Sequence, residues 1–356
     1  MQEGPSTAGP YFAAGGVLFF MKYPLKPCLK VSILLICVLF ILPLLTVTVI
    51  RYERSGEQEE PIEILPPGDI DSHETIRVKL PDGVQEMSMS DYLECVLRAE
   101  MPASFEQEAL CAQAVAARTY TLYKIATGGN HGTEADVCSD STCCQAYLSK
   151  EEAATNWGDK AERYEAKIDN AVAATDGQTI LYDGQPILAV FHSSSAGLTK
   201  SAGEVWTEDL PYLQSVASPE KGGEIPNYYS RVEFTADEFR KKFKAAYPDA
   251  DLSGDMKGWI TGLTTTEGTN VDTVVIGGVT VRGARVRTIF GLRSASFETE
   301  VQDKKIVFFV TGYGHGVGMS QYGANELAKE GKTWKEIITH YYTGVTLEAR
   351  TIHGPA

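Results

Sequence analysis

The sequence predicts an α+β protein, a single-pass N-terminal membrane anchor followed by a mixed α/β extracytoplasmic domain, on three observations. Positions 31–50 (VSILLICVLFILPLLTVTVI) are twenty residues without a charge, long enough at 1.5 Å per residue to cross a hydrocarbon core of about 30 Å. Beyond them, segments with helical periodicity gather near residues 90–121 and 321–342, and Val- and Gly-rich strand patterns lie between. No repeat recurs at a fixed period.

Lys22, Lys26 and Lys30 precede the apolar run, which orients the N-terminus toward the cytoplasm, although Arg51 and Arg54 dilute the asymmetry. A cleaved signal peptide is the competing reading; the run is longer than a usual h-region and no small-x-small site follows. Met21-Lys22 resembles a second start. The expected organisation is a cytoplasmic segment 1–30, a transmembrane helix 31–50, a stalk 51–74 and a folded domain 75–350. The stalk reading rests on Glu-Gln-Glu-Glu-Pro, Pro66-Pro67-Gly68 and the absence of any period.

Within the domain, Thr75–Leu80 alternates and Pro81-Asp82-Gly83 turns it, predicting a strand or hairpin. Ser90 is placed to cap a helix carrying Tyr92, Leu93, Val96 and Leu97, stopped by Pro102. Ser104 with Gln107 has the form of a capping box before an alanine-dense helix. Further on, 160–174 reads as helix, 178–193 as a hairpin turning at Asp183-Gly184, 274–292 as strands and 306–310 as a buried strand. Segments 321–328 and 334–342 read as helices.

Composition narrows the function. The chain carries a formal net charge of −15, which argues against a nucleic-acid partner. Of seven cysteines, Cys28 and Cys37 fall before or inside the apolar run. The odd remainder, Cys95, Cys111, Cys138, Cys143 and Cys144, argues against a fully paired disulfide framework; Cys95 and Cys111 read as helical core residues.

Glu100 is the residue placed for chemistry. At a helix C-terminus it feels the negative pole of the helix dipole, and Ala99, Met101 and Pro102 exclude water; both favour its protonated form. Most glycosidases need two carboxylates, but a cleavage in which the sugar's own 6-hydroxyl attacks the anomeric carbon needs one, acting first as acid and then as base. A solvated helix end is the bland alternative. Arg118, eighteen residues on, could orient that carboxylate, bind a sugar hydroxyl, or form a structural ion pair.

Two polar blocks follow. Phe191-His192-Ser193-Ser194-Ser195-Ala196-Gly197 crowds hydroxyls at an expected strand end, suited to sugar hydroxyls or to a polar turn. It has no G-x-S-x-G elbow, which argues against a serine hydrolase. Residues 312–324 (GYGHGVGMSQYGA) carry alternating glycines that admit close backbone approach, but not the spacing of a dinucleotide fingerprint. His315, Gln321 and Tyr322 are the candidate sugar contacts there.

His131, Cys138, Cys143 and Cys144 lie within fourteen residues, a donor set that suits tetrahedral zinc without a standard zinc-finger spacing. A Cys138–Cys143 or Cys138–Cys144 disulfide is the rival.

Through Arg98-Ala99-Glu100-Met101-Pro102, the helix Leu110-x-Ala112-Gln113-Ala114-Val115-Ala116-Ala117-Arg118-Thr119-Tyr120, the HSSSAG block with Trp206, Pro211 and Tyr212, and the 312–324 block, the sequence resembles the stage II sporulation protein D family over roughly 75–345. The resemblance implies a peptidoglycan lytic transglycosylase of engulfment during endospore formation. It would act on peptide-free glycan strands to give anhydro-muramyl ends, with Glu100 as the catalyst; the residues themselves add Arg118 as a candidate catalytic partner and His192, Ser193, Ser194, Ser195, His315, Gln321 and Tyr322 as candidate substrate contacts. It further implies a location at the mother-cell engulfing membrane, and stage II sporulation proteins P and M as partners. Some members have a similar His/Cys cluster described as binding zinc; here Cys143 stands where a histidine is common.

Two other functions remain open. The family fold also resembles amidase enhancer proteins, which makes a non-catalytic, glycan-binding activator the main rival. A zinc amidase or peptidase is disfavoured because thiolate-rich closed sites are structural and no H-E-x-x-H occurs.

Overall fold

A computed structural model describes residues 62–355, except 130, 132, 133, 207, 267 and 268, together with Leu39. Residues 62–356 form one compact unit, built around two hydrophobic cores. The first core surrounds helix Gln107–Ala126, which is alanine-rich and buried on almost every side. A helix apolar all round must lie inside. It packs on helices Met89–Glu100, Ala161–Ala173, Gln321–Lys329 and Trp334–Tyr341 and on strand Gln178–Tyr182. Its small side chains let those helices approach closely, and Leu97 and Leu110 fill the seams at zero exposure. Truncating either to Ala costs about 2–5 kcal/mol.

Three small sheets frame this core. Thr75–Leu80 pairs antiparallel with Gly83–Ser88 and parallel with Val137–Cys138. Gln178–Tyr182 lies between Thr346–Thr351 and Gln185–Pro186, its turn made by Asp183 and Gly184 at positive φ. Phe191–His192 pairs parallel with Met319–Ser320, which brings the two polar blocks side by side.

The second core is aromatic. Strands Phe297–Gln302, Lys305–Thr311 and Tyr229–Thr235 form an antiparallel sheet in that order. Against it, Phe239 and Phe243 of helix Ala236–Ala246 meet Phe290 of helix Gly283–Phe290 and Phe308. The hairpin Thr273–Ile276/Val279–Arg282 closes the layer.

Several expectations are corrected. The helix expected at 31–50 lies outside the described residues, and among those no helix is long and apolar enough to cross a membrane. The fold shown is therefore mixed α/β, with no anchor shown. Helices Ala236–Ala246 and Gly283–Phe290 interleave with strands, so the segregation of an α+β fold is absent too. The 274–292 stretch, expected as strands throughout, ends in a helix because Val286 and Phe290, four apart, share the buried face. Ser88, not Ser90, caps the Glu100 helix by accepting from Asp91 N at 3.0 Å. Ser104 caps nothing; the next helix starts at Gln107, and Glu106 N donates to Asn325 Oδ1 instead.

The segment read as a solvated stalk enters the fold from residue 62 onward. Asn170 brackets it, accepting from Leu65 N at 2.8 Å and donating to Glu63 O at 2.7 Å. Asp69–His73 is helical and Asp71 is buried. Asp71 accepts from Arg118 Nε at 2.9 Å and closes a second contact with Arg118 Nη2.

Candidate active site and metal cluster

A cleft of about 1070 Å³ runs between the end of the Glu100 helix, the loop after the cysteine cluster, and the paired 191–193 and 313–322 segments. Among its described lining residues Glu100 is the single carboxylate. Helix Met89–Glu100 ends on it because Met101 turns extended and Pro102 cannot continue the helix. Glu100 Oε1 accepts from Ala146 N at 2.7 Å, and its carbonyl accepts from Gln321 Nε2 at 2.9 Å. Burial raises the carboxyl above its usual range, with the Ala146 amide opposing. That is the proton-holding state required of a general acid.

Arg98, two residues back, is held by the bidentate pair to Glu165 at 2.6 and 3.1 Å and by Glu94 at 2.9 Å, which pins the helix end. The opposite wall is aromatic. His315 lies 5.6 Å from the Trp206 ring and 5.7 Å from the His192 ring, and Tyr322 meets Phe105 edge-on. Such faces stack on the apolar side of a pyranose ring.

Both histidines stay neutral. Burial holds each at about 3, and Lys200 and Arg287 add repulsion. His192 Nδ1 faces Val317 O at 3.2 Å and so donates, which leaves Nε2 a buried acceptor without a partner. His315 Nδ1 accepts from Val317 N at 3.1 Å.

The glycine block exists for close packing. A Cβ on Gly314 would stand 2.7 Å from His192 Cβ, and one on Gly318 would collide with Val190 O. Both glycines have positive φ.

Six of the expected site residues meet in the cleft: Glu100, His192, Ser193, His315, Gln321 and Tyr322. Three do not. Ser194 and Ser195 turn inward: Ser194 exchanges backbone hydrogen bonds with Tyr313, while Ser195 N donates to Glu220 Oε1 and its hydroxyl accepts from Gly197 N. Alternation along extended backbone sets Ser194 opposite Ser193, and Ser195 leaves the cleft through its contacts to Glu220 and Gly197. Arg118 is 1% exposed and bonded to Asp71, Thr175 O and Gln178 O. It is a structural ion pair outside the cleft. Gln321 lines the cleft but commits its amide to Glu100 O, so it positions the acid.

Sequence reasoning missed Tyr120, Trp157, Ala146, Arg287 and Tyr313, which also line the cleft. Tyr120 and Tyr313 stand inside the blocks that carry the family resemblance. Ala146 acts through its backbone, and Arg287 lies in the second core without a motif.

The four expected metal donors, His131, Cys138, Cys143 and Cys144, come together with ligand atoms within 4.8 Å of one another. His131 Nε2 is 3.5 Å from both Cys143 Sγ and Cys144 Sγ, and those sulfurs are 3.9 Å apart. A tetrahedral zinc sets N···S edges of about 3.5 Å and S···S edges of about 3.8 Å from its bond lengths. The donors therefore fit the ion. Cys138 and Cys144 carry free thiols. Burial pushes the Cys144 thiol up to about 12, so a thiolate there calls for a cation among the donors. Two residues on, Ala146 donates to Glu100.

Residues 81–182 match the Stage II sporulation protein family model. The chain is 39% identical over 265 residues to the stage II sporulation protein D of Bacillus subtilis (strain 168), covering 74% of this chain and 75% of that one. It is 37% identical, with the same coverage, to the stage II sporulation protein D of Bacillus amyloliquefaciens. It is also 27% identical over 302 residues to a Bacillus subtilis protein named amidase enhancer, across 72% of this chain and 40% of the relative. Identity at this level over three quarters of both chains settles the membership: this chain belongs to the stage II sporulation protein D family, whose role is in sporulation.

Proposed function

We propose that this protein is a lytic transglycosylase that cleaves peptide-free peptidoglycan strands outside the cytoplasm, with Glu100 as its single catalytic group. The observation that carries the reading is a lone carboxylate, desolvated and held by one amide, in a cleft walled with aromatic rings. Protonated Glu100 donates to the glycosidic oxygen, and the leaving sugar departs with that proton. Positive charge builds on the anomeric carbon, and the new carboxylate takes the proton of the 6-hydroxyl as O6 closes on C1. No water enters, and Glu100 ends as it began.

Trp206 and His315 supply a stacking wall. We also propose that His131, Cys138, Cys143 and Cys144 hold a structural zinc; four protein donors leave no open position, so the ion would fix the loop that aims Ala146 N at Glu100.

The similarity to an amidase enhancer favours a second reading, a glycan-binding activator without cleavage. Mass spectrometry of peptide-free strands incubated with the full chain decides. Anhydro-muramyl products that vanish in Glu100→Gln support the transglycosylase. Reducing ends would mean hydrolysis, and intact strands with wild type would favour the activator.

A further inference from the structure

The cleft has a second charged feature that the acid–base chemistry does not use. Arg287, on helix Gly283–Phe290 of the second core, lines the cleft. Its Nε donates to the carbonyls of Leu292 and Arg293 at 3.3 and 3.2 Å, leaving its two terminal amino groups for other partners. Among the described residues it forms no ion pair, and burial works against its charge. Arg98, the other lining arginine, is already neutralised by Glu94 and Glu165.

Lys200, outside the cleft lining, adds positive charge near Arg287. It is 6% exposed and makes no ion pair among the described residues. Glu204, the acid that attracts it, closes the cap on Ser201 N at 2.7 Å. Arg293 covers the ring of Tyr313, a cleft residue, at 3.8 Å. A protein of net charge −15 thus keeps one arginine without an ion pair among the described residues on the wall of its cleft, in which Glu100 is the single described carboxylate. Unpaired buried cations are costly unless an anion arrives.

We propose that Arg287, supported by the field of Lys200, binds the lactyl carboxylate of the muramyl residue and thereby selects strands whose peptides have been removed. This rests on the glycan-strand reading above and names the substrate feature that the site recognises. A muramyl residue carries a lactyl ether at O3. In intact wall its carboxyl is an amide to the stem peptide, neutral and followed by bulk; after peptide removal it is a free carboxylate. An arginine with two free amino groups matches a carboxylate bidentately, and an amide cannot return that charge. Selectivity would then come from the second core, while the acid comes from the first.

The test is binding by the full chain carrying Glu100→Gln, which does not consume its ligand. The probes are a tetrasaccharide of alternating N-acetylglucosamine and N-acetylmuramic acid with free lactyl carboxylates, and the same compound with each carboxyl converted to a methylamide. Calorimetry is expected to give about 10- to 100-fold tighter binding of the acid, the worth of one charged hydrogen-bonded contact. The preference should vanish on adding Arg287→Gln and persist in part with Arg287→Lys, which keeps the charge but not the bonds to Leu292 and Arg293. A purely structural arginine would weaken both probes alike and would not be rescued by lysine. Equal binding of the two probes by the parent, an unchanged preference in Arg287→Gln, or binding of neither overturns the proposal. Cleavage by wild type without the preference would sink this inference alone; the preference without cleavage would sink only the transglycosylase reading.

Discussion

The two cores differ in how they hold the residues they present to the cleft. In the first, Glu100 is fixed by polar contacts from distant segments: Ala146 N on its carboxylate, Gln321 on its carbonyl, and Glu165 on Arg98 two residues back. In the second, Arg287 projects from a short helix anchored by Phe290 against Phe234, Phe239 and Phe308, with backbone carbonyls as its fixed partners. A general acid needs its orientation set to within a fraction of an ångström, so converging hydrogen bonds serve it. A charge that recognises a flexible acidic substituent needs only to be present and unneutralised.

Changes at Glu100 should separate the cores most sharply. Glu100→Ala is expected to lower the cleavage rate by about 10²- to 10⁴-fold, measured as anhydro-muramyl release, with binding of the strand largely retained. Equal loss of binding and turnover would mean that the residue holds substrate and does not transfer protons. The pH dependence follows from the raised pKa of Glu100. The acid step needs the protonated form, so activity should fall as pH rises through the folded pKa. Because the folded state holds this proton more tightly than the unfolded chain, stability should also fall over that rise, and Glu100→Gln should remove that part of the loss. Denaturation curves at several pH values check the sign.

The next largest effect concerns stability alone. Asp71 and Arg118 form a pair that is 2% and 1% exposed, and removing one partner strands the other. Arg118→Met is expected to destabilise by about 3–5 kcal/mol in chemical denaturation, while the folded fraction keeps its turnover. A variant that stays stable but loses turnover would return Arg118 to the catalytic group.

That contrast shows where the sequence was legible. Glu100 could be read because its neighbours, Met101 and Pro102, dictate a helix end by local sterics, and the cleft's other wall because His192 and His315 sit in blocks with unusual composition. That His131, Cys138, Cys143 and Cys144 come together was legible for the same reason, since they are crowded into fourteen residues. The sequence left Arg118 open between a catalytic partner and a structural ion pair because Asp71 lies in a stretch that carries no period and looks solvated; a long-range ion pair leaves no local trace. Ser194 and Ser195 were misread because composition does not tell which face of extended backbone a hydroxyl occupies. Arg287 gave no signal, since a charged position on a short helix with Val286 and Phe290 on its buried face reads as solvent-facing. The anchor expectation rested on residues 31–50, which lie outside the described residues.

A smaller effect is expected at the metal cluster. Chelation, or Cys144→Ser, should release zinc detectable by atomic emission and lower turnover by about 10-fold, because the loop bearing Ala146 N would no longer be fixed against Glu100. Unchanged turnover after complete metal loss would detach the cluster from the acid.

The smallest change should come from Gln321→Leu. Gln321 Nε2 donates to Glu100 O at 2.9 Å and lies 3.5 Å from Gln113 Oε1, so leucine removes one net hydrogen bond of about 1 kcal/mol. It also leaves a carbonyl at the helix end without that donor. The contact aims the acid without touching the sugar, so the expected loss is several-fold in kcat with KM unchanged, and the pH at which activity falls should move little because the carboxylate keeps Ala146 N. A rise in KM at constant kcat would instead make Gln321 a sugar ligand, as the sequence alone implied, and the cleft wall formed by 319–322 would belong to substrate recognition rather than to the support of Glu100.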